Sequence, residues 1–155
     1  MSYFDMQLVC ERLFSLVSSK WETFQMAQRE AVFPAGRQDL YTSYNYSAAI
    51  RSHDLLFVSG QVGSRPDGSP ELDFEAQVRL AFANLEATLQ AAGCGFDDIV
   101  DLTTFHLNPE TQFPTVMAVK GELFSSAPYP TWTAVGVTWL AGFDFEIKVI
   151  ARIPA

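Results

Sequence analysis

The segment between Asp73 and Gly93 carries the clearest structural signal in the chain. Its apolar residues recur at spacings of three and four, the pattern of one face of an amphipathic helix: Phe74, Val78, Ala81, Phe82, Leu85 and Leu89. Asp is favoured at the N-terminus of a helix, and Gly is favoured where the chain turns left-handed just after one. Because such a helix must bury its apolar face, the rest of the chain has to supply a second layer.

Strand-like segments lie on both sides of this helix. Residues 44–50 and 55–60 are rich in apolar and aromatic residues and are separated by Arg51–Asp54, which predicts a hairpin. Residues 98–107 predict a further strand. A second helix is predicted from about Thr111 to Phe124, with Pro114 in its first turn, where a missing N–H costs little.

The C-terminal segment predicts two more strands, at about 131–140 and 144–153, on either side of an Ala141-Gly142 turn. In the second of them Phe145, Ile147 and Val149 alternate with Glu146 and Lys148. One face of this strand therefore belongs to the core, and the other carries solvent contacts or chemistry. The order hairpin, helix, strand, helix, hairpin predicts an α+β fold in which two helices pack on one face of a sheet.

The first 25 residues form a separate region. Between residues 3 and 24, apolar residues such as Leu13, Leu16 and Trp21 lie near helical spacing, which predicts one amphipathic helix. An alternative is that Met26 is the true translational start and the preceding residues are an over-extended reading frame. The domain organisation is therefore residues 1–25 as this helix or over-extended start, and residues 26–155 as a single domain.

Charge and composition exclude several classes of function. The chain has 155 residues, 48% of them hydrophobic, which suffices for one sizeable core. Its formal net charge of -8 repels phosphate backbones and anionic lipid surfaces, so neither nucleic acid nor a membrane is an expected partner. No apolar run approaches the roughly 20 residues that span a bilayer.

The remaining chemistry-bearing residues point to a cytoplasmic protein without a metal or a cofactor. Cys10 and Cys94 have no disulfide-framework spacing, which favours reduced thiols in a reducing compartment. His53 and His106 are far apart without a ligand-like spacing, so no zinc site is expected.

Several short blocks follow one another in a particular order along the chain. They are Tyr46-Ser47, residues 56–61 (LFVSGQ), residues 91–93 (AAG), residues 96–100 (FDDIV), residues 135–137 (VGV) and residues 145–151 (FEIKVIA). In this order they resemble the Rid (YjgF) family of enamine/imine deaminases. The resemblance covers about residues 30–154, and the sequence from Trp132 to Glu146 is most similar to the YjgH branch.

This resemblance implies a chorismate-mutase-like fold that assembles as a homotrimer, with small-molecule clefts between neighbouring subunits. In the deaminating members a Pro-x-Arg motif supplies an arginine that binds the substrate carboxylate, and a glutamate on the last strand positions the attacking water. Here Pro130 matches the proline and Glu146 matches the glutamate, but Trp132 stands at the arginine position.

An indole offers one neutral N–H donor and a π face, so Trp132 cannot replace the two charge-assisted bonds of a guanidinium. We therefore expect Glu146 as the catalytic general base, Trp132 as a stacking wall, and Tyr46, Ser59 and Asn108 as hydrogen-bonding groups. The expected ligand is a planar or carbonyl/imine-type metabolite other than a free amino-acid imine.

Other interpretations of these residues stay open at this point. Trp132 could fill a subunit interface, Glu146 could be a solvated strand residue, Tyr46 and Ser59 could be structural, and Asn108 could be a turn or cap residue. At the level of the whole protein, the alternatives to a deaminase-like hydrolase are a non-catalytic binding or regulatory module and, least favoured, a ribonuclease.

Overall fold

The structure is a computed structural model that describes residues 29–154. Its centre is a six-stranded sheet with the strand order β1-β2-β3-β6-β4-β5. The strands are β1 (Glu30–Val32), β2 (Ala49–Ser52), β3 (Leu55–Val62), β4 (Ile99–His106), β5 (Thr131–Gly136) and β6 (Phe145–Arg152). The helices are α1 (Gln38–Thr42), α2 (Phe74–Ala91) and α3 (Pro109–Leu123), with a short 3-10 turn at Phe96–Asp98.

Helix α2 is where the sequence predicted it. The Asp73 side chain accepts a hydrogen bond from the backbone N–H of Ala76 at 2.9 Å, and Gly93 follows the helix with a φ of +77°. The predicted apolar face is buried, with Val78, Ala81 and Leu85 fully inaccessible to solvent. Helix α2 packs on β3, on β6 and on α3, so both long helices share one face of the sheet, as predicted.

The last two strands do not form a hairpin, and that part of the prediction is wrong. Strand β5 pairs in parallel with β4 at the edge of the sheet, whereas β6 lies between β3 and β4 and is antiparallel to both. The side chains explain the choice. Phe145, Ile147, Val149 and Ala151 of β6 are fully buried, which requires a central strand, whereas most residues of β5 are exposed.

The N-terminal part of the domain also differs from the prediction. Strand β2 begins at Ala49 rather than residue 44, because Asn45 has a φ of +58° and turns the chain before the strand. The loop between β2 and β3 is shorter than predicted and consists of His53 and Asp54. The structure adds β1 and α1, which the sequence did not predict.

Two further boundaries shift. Helix α3 begins at Pro109, so Pro114 lies inside the helix rather than in its first turn. Strand β5 ends at Gly136, and residues 137–144 cross from the edge of the sheet to its centre. The helix predicted at residues 3–24 lies outside the described residues.

Within one chain, helices α2 and α3 cover one face of the sheet and not the other. The face under α2 and α3 holds the core, including Leu56, Val58 and Leu102. The opposite face, here called the open face, carries Phe57, Ile150, Phe105 and Glu146, as their pairing across β3, β6 and β4 shows. No helix between residues 29 and 154 is long and apolar enough to span a membrane.

Candidate functional site

Glu146 lies on the open face, at the point where β6 passes Gly60 of β3. Its register partners are Val62 and Phe105, which centre it in the sheet. A β-carbon at Gly60 would overlap the Glu146 carboxylate, so the absence of a side chain there is what makes room for the acid. The carboxylate is half-buried, and this burial raises its pKa above the ordinary value despite the opposing charge of Lys148.

A pocket of about 560 Å³ opens beside this carboxylate. Three tyrosines from α1 and the turn after it form one wall, and the segment from Leu140 to Phe143 forms another. The lining residues include two carboxylates, Glu146 and Asp67, and no lysine or arginine. The residues that line it are Leu40, Tyr41, Tyr44, Tyr46, Gly60, Gln61, Val62, Ser64, Asp67, Gly68, Leu140, Ala141, Phe143 and Glu146.

Tyr46 reaches this pocket from the turn that precedes β2, not from a strand as predicted. Its ring meets Tyr41 edge-to-face at a centroid distance of 5.2 Å. Tyr41 is buried and donates its hydroxyl to Gln61 Oε1 at 3.0 Å, which anchors the pair to β3. Burial, together with Tyr41 and Glu146 nearby, raises the pKa of Tyr46, so the phenol is a neutral hydrogen-bond donor at physiological pH.

Ser59 immediately precedes Gly60 on β3, and its hydroxyl already makes a hydrogen bond within the chain. The hydroxyl donates to the Ser47 carbonyl at 2.7 Å and ties β3 to the turn that carries Tyr46. This contact assigns Ser59 a role in positioning the turn.

Trp132 lies on the helix-covered face of β5, because its register partner is the fully buried Leu102. Its indole Nε1–H donates to Thr104 Oγ1 at 3.0 Å. Thr104 in turn contacts His106 Nε2 at 2.9 Å, inside the core. The indole edge is therefore held by a polar chain that runs along β4.

The faces of the Trp132 ring contact two residues of α3. Phe113 stacks on the indole with centroids 5.3 Å apart and planes within 2°, and the Lys120 ammonium lies 4.6 Å from the ring centroid. Phe113 and Lys120 are seven residues apart on α3, about 10 Å along a helix, and both contact the ring of Trp132.

Asn108 occupies the N-terminal cap position of α3, but its side chain makes no capping bond. Its backbone carbonyl accepts from Gln112 N–H at 3.0 Å, and its own N–H donates to Gln112 Oε1. It does not line the Glu146 pocket. Within one chain, Tyr46 and Glu146 therefore line the same pocket, whereas Asn108 and Trp132 lie outside it.

Trp132 and Glu146 cannot meet within one chain. Trp132 pairs with Leu102 and Glu146 pairs with Phe105, and residues three apart on β4 point to opposite faces.

The other titratable candidates play no part in this pocket. Within residues 29–154, no cluster of three or more His, Cys, Asp or Glu side chains could hold a metal ion. Cys94 is buried, which raises its pKa, and His106 is fully buried, which lowers its pKa. Cys10 lies outside the described residues.

Sequence reasoning missed Gly60, Tyr41 and Gln61 beside the acid, and Phe113 and Lys120 around the indole. A glycine inside a strand often marks a close approach by another group, and that signal was available for Gly60. The partners of Trp132 left no local signal because α3 and β5 meet only in the folded chain.

Comparisons with known proteins agree with the fold. A family model described as Endoribonuclease L-PSP matches residues 36–153, and the chain belongs to this family, whose members share the YjgF-like fold. The chain is 74% identical to the RutC family protein YjgH of Escherichia coli K12 over 129 residues, which are 83% of this chain and 98% of that protein. The solved structure of YjgH superposes with a TM-score of 0.79 over 82% of this chain and 98% of that chain.

Two more distant relatives have functional names or a bound ligand. A 2-iminobutanoate/2-iminopropanoate deaminase of Dermatophagoides farinae is 31% identical over 97 residues, 61% of this chain and 74% of that protein. A crystal structure of Escherichia coli TdcF with bound serine has a TM-score of 0.64 at 32% identity, over 69% of this chain and 87% of that chain.

Proposed function

We propose that this protein binds a small planar or carbonyl/imine-type metabolite in a cleft between subunits of a homotrimer and hydrolyses it. Glu146 is the general base that activates water, and Tyr46 is a hydrogen-bond donor beside it. The reaction needs no metal and no organic cofactor, and the proposed compartment is the cytoplasm.

One observation carries this proposal: Glu146 is a half-buried carboxylate with no hydrogen-bond or ion-pair partner within residues 29–154. Other carboxylates do have arginine partners, as in Arg65–Glu71 and Arg79–Glu122. A carboxylate that is desolvated and left free in a pocket is suited to take a proton from water. Its raised pKa moves it towards the range where it can also return that proton.

Two features support the trimer. Trp132 and the Glu146 pocket lie on opposite faces of the sheet, so a site that uses both requires more than one copy of the chain. The open face also leaves Phe57 42% exposed, which a second copy would cover.

The ligand preference follows from the charges around the pocket. Its lining has two carboxylates and no cation, and Trp132 lacks the guanidinium that binds a carboxylate in two parallel bonds. Charge-assisted bonds contribute about 1.5 to 3 kcal/mol, so an anionic substrate would bind roughly ten- to a hundredfold more weakly without them. We therefore propose a neutral or cationic planar ligand and little turnover of free amino-acid imines.

A binding module without chemistry is the second candidate, supported by the contacts that already engage the ring of Trp132, from Phe113 and Lys120. The names of relatives support a deaminase-type reaction in the family but do not assign one to this chain. A ribonuclease is least favoured despite the family name, because the net charge of -8 opposes binding of a phosphate backbone.

The test is a coupled assay of 2-keto acid formation from imines of ordinary amino acids. The wild type is expected to show little activity. Trp132→Arg is expected to gain activity, and Trp132→Arg combined with Glu146→Gln is expected to lose that gain. The gain will be partial, because the new guanidinium lies close to the Lys120 ammonium and like charges repel.

Trp139→Arg is the matched control, since it adds the same charge at a tryptophan that is 75% exposed and does not line the pocket. This variant should stay at the wild-type level. Wild-type turnover equal to that of an arginine-bearing relative would refute the argument that Trp132 cannot bind the substrate carboxylate. An unchanged rate when Glu146→Gln is added to Trp132→Arg would remove Glu146 from the mechanism.

A further inference from the structure

Lys120 is an unusual lysine in the described part of the chain. It lies in the last turns of α3, and its ammonium is within 5.1 Å of the Phe124 ring centroid and 4.6 Å of the Trp132 ring centroid. Between residues 29 and 154 no carboxylate lies within 4.0 Å of its nitrogen, and no hydrogen bond to that nitrogen is formed. In a chain with 18 acidic residues, an amine that contacts two aromatic rings and no carboxylate of residues 29–154 has a particular environment.

This environment favours the neutral amine more than a surface environment does. Partial burial removes water from the ammonium and lowers its pKa. A carboxylate beside the amine would oppose that change, and among residues 29–154 none lies close enough to form an ion pair with it. The two rings do stabilise a cation, but an iminium formed on the same nitrogen carries the same charge and receives the same stabilisation.

From these contacts we propose that Lys120 is a carbonyl-reactive site that forms a Schiff base with small aldehydes or ketones. The Nζ lone pair adds to the carbonyl carbon and gives a carbinolamine. Loss of water then forms the C=N bond, and the product is an iminium held between the Trp132 and Phe124 rings. The step requires no oxidant or reductant, and hydrolysis reverses it.

The site is separate from the Glu146 pocket. Lys120 belongs to the helix-covered side of the sheet through its contact with Trp132, whereas Glu146 lies on the open face. The proposal therefore stands or fails independently of hydrolysis by Glu146.

The lysine content makes the test direct, because the chain has three lysines: Lys20, Lys120 and Lys148. The full-length protein is incubated with limiting propanal or pyruvate and sodium cyanoborohydride, which reduces the iminium to a stable secondary amine. Peptide mass spectrometry then gives the rate of labelling at each lysine and at the N-terminal amine. We expect Lys120 to be labelled several-fold faster than the exposed Lys148, because partial burial lowers the pKa of Lys120 and so raises its fraction of neutral amine.

Two variants complete the experiment. Lys120→Arg keeps the cation over the rings and should preserve the fold, so its thermal transition should match that of the wild type while the fast-labelled site disappears. Lys148→Arg on the exposed part of β6 is the matched control and should leave labelling of Lys120 unchanged. Labelling of Lys120 at or below the rate of Lys148 would show that Lys120 only clamps the two rings and would overturn the proposal.

Discussion

The side chains on the two faces of the central strand β6 differ in how far they are buried within one chain. Phe145, Ile147 and Val149 face α2 and α3 and are completely buried within one chain. Glu146 and Ile150, their neighbours in sequence, face the open side, away from α2 and α3. The helix-covered face therefore forms the core of the chain, while the open face carries the candidate acid.

The largest expected effect is a loss of stability when a buried side chain on the helix-covered face is shortened. Ile147→Ala removes buried methyl groups beneath α2 and should lower the free energy of unfolding by about 2 to 5 kcal/mol. Ile150→Ala, the same substitution three residues away on the open face, should cost the isolated chain much less. Denaturant unfolding of both variants measures the difference, and equal losses would contradict the asymmetry between the faces.

The next effect concerns assembly through the open face. The wild type should have three times the 17.2 kDa mass of one chain in solution, and Phe57→Asp should dissociate it because a carboxylate replaces an exposed apolar ring. Light scattering coupled to size exclusion gives the masses. A wild-type monomer at micromolar concentration would refute both the trimer and the cleft between subunits.

A smaller effect is expected from the charge of Glu146. Burial raises its pKa above the value of 4.5 that it has in the unfolded chain, so the folded state holds the proton more tightly. The resulting contribution to stability is fully present below that unfolded value and is lost as pH rises through the folded pKa. Glu146→Gln should therefore raise Tm at pH 7.5.

Calorimetry at two pH values checks the sign. The increase in Tm caused by Glu146→Gln should become smaller as the pH falls towards 4, because protonation then neutralises the wild-type carboxyl as well. Glu86→Gln on the exposed side of α2 provides the control and should change Tm little at either pH. A lower Tm for Glu146→Gln at pH 7.5 would mean that the carboxylate has a stabilising partner in the assembled protein.

The smallest effect is expected from the N-terminal segment. The family model begins at residue 36, and the relative YjgH is matched along nearly its whole length by 129 residues of this chain. Deletion of residues 1–25 should leave a folded trimer with Tm within about 2 °C of the wild type, about 1 kcal/mol or less. A loss of more than about 10 °C would show that the segment covers part of the domain.

The sequence by itself determined the parts of this protein that depend on local spacing. The helical stripe with its Asp73 and Gly93 ends, and the alternation that puts Glu146 on the side away from the core, follow from residues close together in the chain. Their patterns reflect backbone geometry within one helix or strand, and nearby residues are sufficient to set that geometry.

Only the tertiary structure decided the strand order and the surroundings of the two key side chains. Nothing local in residues 131–153 distinguishes a hairpin from an edge strand and a central strand, because that choice depends on which strand buries more surface against α2 and α3. For the same reason the contact of Glu146 with Gly60, and the enclosure of Trp132 by Phe113 and Lys120, required the fold. These groups are brought together by pairing between strands and helices distant in sequence, which no short-range pattern encodes.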